Sequence, residues 1–284
     1  MGRVGKKERV EMNNQEFKKI IRQGFDEASP GYDNPAMRFF DKSAAHLVEL
    51  LALHGDENIL DVATGTGKIA LQLAEKLKNG KVTGLDLSEG MLDQARAKAD
   101  QKHLTNLSFI CSDINEAKFA DSSFDGVCCG FGVFFWSDME GTVKQIAKWI
   151  KPGGFFAMTS FFGPSFTPLS TLCLDRFQKY GVKLPDSYTW ERLDHPEKHH
   201  HLLQSSGFYE INSHTKPMGY FLKDANQWWD LVCHTGFRSF LNQLSSEDKV
   251  KYKKEHLEEI EKTKTKDGIL LQVDVIFTVA KKKQ

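Results

Sequence analysis

Two glycines and two carboxylates carry the chemistry in the first half of this chain. In "NILDVATGTGKIALQLAEKL" an apolar run (Ile59, Leu60, Val62) encloses Asp61, passes Gly65 and Gly67, and enters a segment with Ile69, Ala70, Leu73, Ala74 and Leu77 at helical spacing. Glycines at such a turn let the backbone approach a ligand that a Cβ would push away. The helix that follows aims its free amides and the positive end of its dipole back at the turn. A second run, "KVTGLDLS", ends at Asp86, nineteen residues beyond Gly67. That is near the spacing of about 20 residues at which a carboxylate meets an unphosphorylated ribose. The ligand implied contains adenosine, and both a nicotinamide dinucleotide and S-adenosylmethionine satisfy that requirement.

Two details separate these ligands. The position of the third glycine in the dinucleotide fingerprint holds Ala70, a weaker match. Asp61 adds negative charge beside the turn, which repels a pyrophosphate and suits a cationic amino acid group.

The elements that position these residues follow from periodicity. Gln15 to about Asp26 reads as a polar helix, and "ASPGYDNP" reads as a loop set by Pro30, Gly31 and Pro35. Met37–Leu53 reads as a helix with Phe40, Ala44, Leu47, Val48 and Leu51 inward. Strand and helix then alternate to Phe162, with "IAKWIKPGGFFAMTSF" giving helix, Lys-Pro-Gly-Gly turn and strand. This predicts an α/β fold, a parallel sheet with helices on both faces. Beyond Gly163 come helical insertions, a strand in "YEINSHTKPMGYF", a helical stretch in which Ser245-Ser246-Glu247 resembles a cap, and a last strand alternating from Ile269 to Val279. The first dozen residues and the final "AKKKQ" read as fraying ends.

Four segments occur in order that together resemble class I S-adenosylmethionine-dependent methyltransferases: "ILDVATGTG", "GLDLSEGMLDQAR", "SDINEAKFADSSFDGVCCGFG" and "WIKPGGFFAMTSF". Within that class they look most like the ubiquinone and menaquinone C-methyltransferase branch, as does "FDEASPGYDNPAM" nearer the start. The likeness covers Phe25 to Phe162 and fades from Gly163, where substrate is chosen. It implies a Rossmann-like sheet, mostly parallel with an antiparallel last strand. It implies an arm and cofactor-covering loop over 1–35, a cofactor-binding core over 36–162, and lid insertions with the last two strands over 163–284.

The resemblance also implies a site for S-adenosylmethionine and its product S-adenosylhomocysteine. Asp61 would face the methionine amino end, with backbone contacts from Gly65, Thr66 and Gly67. Asp86 would hold the ribose, Leu87 and Met91 would pack on the adenine, and Asp113 beside Ile114 would accept from its amino group. Gly130 and Phe131 would lie under the methyl, and Tyr32 would cover the pocket. The sulfonium is already an activated electrophile, so alignment suffices and no catalytic residue or metal is assigned. "GFGVFFW" suggests an apolar or aromatic acceptor, small or lipid-like, whose reacting atom stays open. A nicotinamide-dependent oxidoreductase would share Gly65, Gly67 and Asp86, and a silent binding protein would keep the whole fold; both remain open alternatives.

Composition narrows the setting. Lys+Arg and Asp+Glu both number 38, so no net field recruits nucleic acid. No apolar run reaches the about 20 residues that span a bilayer, although peripheral membrane contact stays open. The opening residues lack a signal peptide's apolar stretch, and five cysteines without CxxC pairing point to a reducing cytoplasm. Oligomeric state is not specified. His195, His199, His200 and His201 are numerous enough for a metal, but the run follows a helix-starting Pro196 and reads as a solvated helix start. His46 and His234 are candidate bases, and the adjacent Trp228 and Trp229 point about 100° apart, one of them a candidate for lining a pocket.

Overall fold

The computed structural model describes residues 14–283, so the reading of the first dozen residues lies outside the described ones. Helix α1 (Asn14–Ala28) leads through short 3-10 turns at Ser29–Gly31 and Pro35–Met37 into α2 (Arg38–Leu50). Alternation follows: β1 (Asn58–Val62), α3 (Lys68–Lys76), β2 (Lys81–Asp86), α4 (Glu89–Gln101), β3 (Leu107–Cys111), β4 (Phe124–Gly130), α5 (Met139–Trp149) and β5 (Ile150–Phe161). The remainder comprises α6 (Leu169–Lys179), α7 (Pro196–Ser205), β6 (Phe208–Pro217), β7 (Tyr220–Leu222), α8 (Ala225–His234), α9 (Arg238–Leu241), α10 (Ser246–Glu261), β8 (Ile269–Leu271) and β9 (Asp274–Lys282).

Seven strands form one sheet in the order β3-β2-β1-β4-β5-β9-β6. The five to β5 are parallel, and β9 alone runs antiparallel, wedged between β5 and β6. The order reverses between β1 and β4, the crevice where open α/β sheets bind ligands. Asp61, Asp86 and Gly130 reach it because each sits near the carboxyl end of its strand. The core divides across the sheet. Cys128 and Ala157 pack under one layer of helices, and their neighbours Cys129 and Met158 under the other, as period-two alternation requires. Caps hold the helix starts: Ser88 accepts from the Met91 amide at 3.1 Å, and Ser245 from the Asp248 amide at 3.1 Å.

Four expectations need correction. Lys151–Gly154 is not a turn before a strand; it lies inside β5, where the register against β4 jumps between Phe124↔Ile150 and Gly126↔Phe155. The alternating run from Ile269 breaks at Gln272 and Val273: β8 pairs with β7 as a separate two-stranded sheet, and only β9 joins the main one. The terminal strand also continues through Lys282, so most of "AKKKQ" is paired rather than frayed. Finally, α2 buries Phe39 completely while Phe40 is only partly covered.

Candidate functional site

A cavity opens at the strand ends between β1, β2 and β4, roofed by α1 and the loop after it. At its polar end Asp61 is 1% exposed. Its Oδ2 accepts from Thr64 Oγ1 at 2.6 Å and from the Ala70 amide at 3.2 Å, while Oδ1 has no partner among the described residues. Burial, with nearby Asp86 adding to it, pushes the Asp61 carboxyl up to about 7. Asp86 accepts from the Gly65 amide at 2.7 Å and the Ser88 amide at 2.9 Å, and burial raises its carboxyl too. Gly65 makes this possible by adopting φ of 55°.

Of the residues singled out in the sequence, Tyr32, Asp61, Gly65, Thr66, Asp86, Leu87, Met91, Asp113, Ile114, Gly130 and Phe131 all line this cavity. Gly67 does not. Its φ is 82° and a Cβ there would come within 3.1 Å of Ala95 Cβ, so it lets α3 start close against α4. Asp113 has a protein partner that spacing gave no sign of: Lys18 of α1 pairs with its Oδ2, while Oδ1 accepts from the Asn115 amide at 2.9 Å.

The covering loop is fastened from below. Asp33 accepts from Thr66 Oγ1 at 2.8 Å and pairs with Lys68 at 2.7 Å and Lys98 at 2.6 Å, and these cations hold its carboxyl below the usual range against the cost of burial. Tyr32, in that loop, stacks on Phe40 with centroids 5.5 Å apart. Burial chiefly, then Asp86 and Asp33, raise its phenol pKa far enough that it stays protonated.

The other end of the cavity is aromatic. Phe131 lies 5.0 Å from Phe40 and 4.7 Å from Phe161, and Phe161 lies 5.1 Å from Phe166. Ala63, Phe131 and Phe166 line the cavity at φ of 52°, 56° and 70°, a region non-glycine residues rarely occupy. Phe134, Phe135, Trp136, Trp190 and Phe237 complete the wall, with Phe17, Ile21 and Phe25 overhead. The sequence reading missed α1, Trp190 and Phe237 as lining. The first had a legible signal, since Phe17, Ile21 and Phe25 recur every four residues, one helix face.

Other candidates fall away from the cavity. Trp228 is fully buried and donates from Nε1 to His256 Nε2 at 2.8 Å; Trp229 packs 6.1 Å from Tyr252. Neither tryptophan lines the cavity, and neither does His46, which meets His214 at 3.0 Å, or His234, whose Nδ1 lies 2.7 Å from the Asp230 carbonyl. The solvated histidine start is wrong for His199. It is fully buried, 2.8 Å from Thr278 Oγ1 and 2.6 Å from Ser160 Oγ, while His200 and His201 are exposed.

Residues 59–154 match the methyltransferase domain family. Aklanonic acid methyltransferase DauC of Streptomyces sp. (strain C5) is 33% identical over 168 residues, covering 56% of this chain and 76% of that protein. The chain belongs to the S-adenosylmethionine-dependent methyltransferases. A demethylmenaquinone methyltransferase of Listeria welshimeri is 29% identical over 182 residues, covering 60% of this methyltransferase and 77% of the relative. In fold, the methyltransferase resembles the solved Haemonchus contortus phosphoethanolamine N-methyltransferase 2, at a TM-score of 0.58 and 16% identity, over 96% of this chain and 61% of that one. Its methyl donor is S-adenosylmethionine, leaving S-adenosylhomocysteine. The residues present fit that cation: a buried carboxylate oxygen without a partner, Asp61 Oδ1, suits an ammonium and would reject a pyrophosphate. Among the described residues, no helix is long and apolar enough to cross a membrane.

Proposed function

We propose that this methyltransferase acts on an apolar aromatic acceptor, quinone-like or polycyclic, held flat against the ring cluster around Phe131 and Phe161. The observation that carries the reading is the composition of the cavity's far wall, phenylalanine and tryptophan from five separate segments. Such a surface favours a planar ring through stacked and edge contacts. Two relatives are named for ring-bearing substrates, aklanonic acid and demethylmenaquinone, which supports the same class.

The donor would lie toward the carboxylates. Asp61 Oδ1 would take the ammonium of its methionine part, Asp86 the ribose hydroxyls, and Leu87, Met91 and Ile114 the adenine faces, with Asp113 at its edge. Gly130 and Phe131 would sit beneath the reacting carbon. When bound, the sulfonium supplies an activated methyl group, so the protein's part is alignment and exclusion of water. Tyr32 and the Asp33-anchored loop close over that junction, and α1 completes the cover. The segments at Phe166, Thr189–Trp190 and Thr235–Phe237 act as the acceptor lid.

A screen with labelled S-adenosylmethionine tests this. Naphthols, hydroxyquinones and anthraquinone acids should take up label, whereas phosphobases and small aliphatic amines should not. Label on the aliphatic set alone would overturn the aromatic assignment.

A further inference from the structure

Two buried hydroxyls in the cavity have no partner among the described residues. Ser43 Oγ and Thr159 Oγ1 are both shielded from water, both belong to lining residues, and neither makes a hydrogen bond. Their residues are only 1% exposed. A buried hydroxyl left unpaired is costly, so such groups persist where something else completes them.

Both hydroxyls border the aromatic end. Ser43 follows Phe39 by four residues and Phe40 by three on α2, which puts it on their helix face. Thr159 precedes Phe161 by two on β5, which puts both side chains on one face of the sheet. Thr159 Oγ1 also lies 3.8 Å from where a Cβ on Gly130 would sit, and Gly130 is itself a lining residue. The two hydroxyls therefore border the ring cluster from two supports, one helix and one strand.

The charged lining groups are committed elsewhere. Lys18 pairs with Asp113, Lys68 with Asp33 and Asp41, and Arg22 with Asp26. None of the ten histidines lines the cavity among the described residues. Asp61 and Asp86 face the turn, and Tyr32 stays protonated. Among the described residues, the aromatic end thus offers hydroxyl donors but no side chain placed to remove an acceptor's proton.

We propose that Ser43 and Thr159 bind an oxygen of the methyl acceptor, and that the acceptor is a ring system carrying a phenol, enol or carboxylic acid acidic enough to ionise in water. This rests on the aromatic-acceptor reading and narrows it. The ionised oxygen, or the ring carbon conjugated to it, forms the bond to the methyl carbon as the carbon–sulfur bond breaks, its electron pair staying on sulfur. For carbon methylation the displaced ring proton passes to water afterwards. The two hydroxyls donate to the acceptor oxygen, fixing which neighbouring atom faces the methyl.

Binding to the protein saturated with S-adenosylhomocysteine tests the assignment without turnover. The probes are 1-naphthol and 1-methylnaphthalene, alike in shape and differing by the oxygen. The wild type should bind 1-naphthol about tenfold more tightly, and combining Ser43→Ala with Thr159→Val should erase that preference while S-adenosylhomocysteine affinity stays unchanged. Equal affinity of the two probes for wild type, a comparison that needs no variant, would overturn the proposal and leave the aromatic pocket standing. A preference that survives in the double variant, or one lost together with S-adenosylhomocysteine affinity, would also overturn it, the latter by assigning the hydroxyls to the donor. Binding of neither probe would remove the aromatic reading and this proposal together.

Discussion

Asp61 and Asp86 sit side by side at the strand ends, and their roles separate by how their oxygens are used. Asp86 spends one oxygen on each of two backbone amides, which orients its remaining lone pairs toward the cavity, whereas Asp61 keeps a whole oxygen unpaired. Asp86→Ala should therefore weaken S-adenosylhomocysteine binding by about 1.5–3 kcal/mol, roughly ten- to a hundred-fold, in a calorimetric titration. An unchanged dissociation constant would remove Asp86 from the donor site. These carboxylates were legible because strand end, glycine turn and second strand end lie close in sequence. Asp33 was not: its partners Thr66, Lys68 and Lys98 are 33 to 65 residues away, and nothing local marks a loop aspartate as an anchor.

At the scale of elements, one guanidinium fastens the Trp190 turn of the proposed lid to the segment after β4. Arg192 donates to the carbonyls of Phe134 at 3.0 Å, Trp136 at 2.6 Å and Ser137 at 3.2 Å, clamping the wall after β4 to the turn that bears Trp190. Burial lowers its pKa, yet a guanidinium remains charged, and charge-assisted bonds to three carbonyls are strong. Arg192→Met should loosen both walls at once, raising the acceptor KM about tenfold while leaving S-adenosylhomocysteine affinity unaltered. A fall in donor affinity alone would assign the clamp to the other end of the cavity. The order of strands and helices through β5 followed from periodicity, since buried parallel strands read as apolar runs, although the start of β5 was read as a turn. The lid did not: its helices pack on each other, and a pattern that says helix does not say which face meets the cavity. Trp228 shows this, with its indole turned to His256 instead.

Over the whole molecule, His199 ties α7 to strands β5 and β9 through Ser160 and Thr278, on the β6 side of the switch point. Burial holds its imidazole down at about 4. The unfolded chain binds that proton near 6.5 and the folded chain only near 4, so stability is full above about 6.5 and is lost as the pH falls between them. Denaturant titrations should show this group costing about 3 kcal/mol on going from pH 7 to pH 4, with a shallower slope in His199→Gln. Equal slopes would place the acid sensitivity elsewhere. The roof has a different consequence. Helix α1 sets Lys18 on Asp113 at one end of the cavity and Phe25 5.6 Å from Phe135 at the other, and Glu27 holds its end to Arg238. With donor and acceptor placed as proposed, one cover serves two occupants. Raising it to free a methylated ring would also uncover the spent nucleoside, so the two products would share an exit.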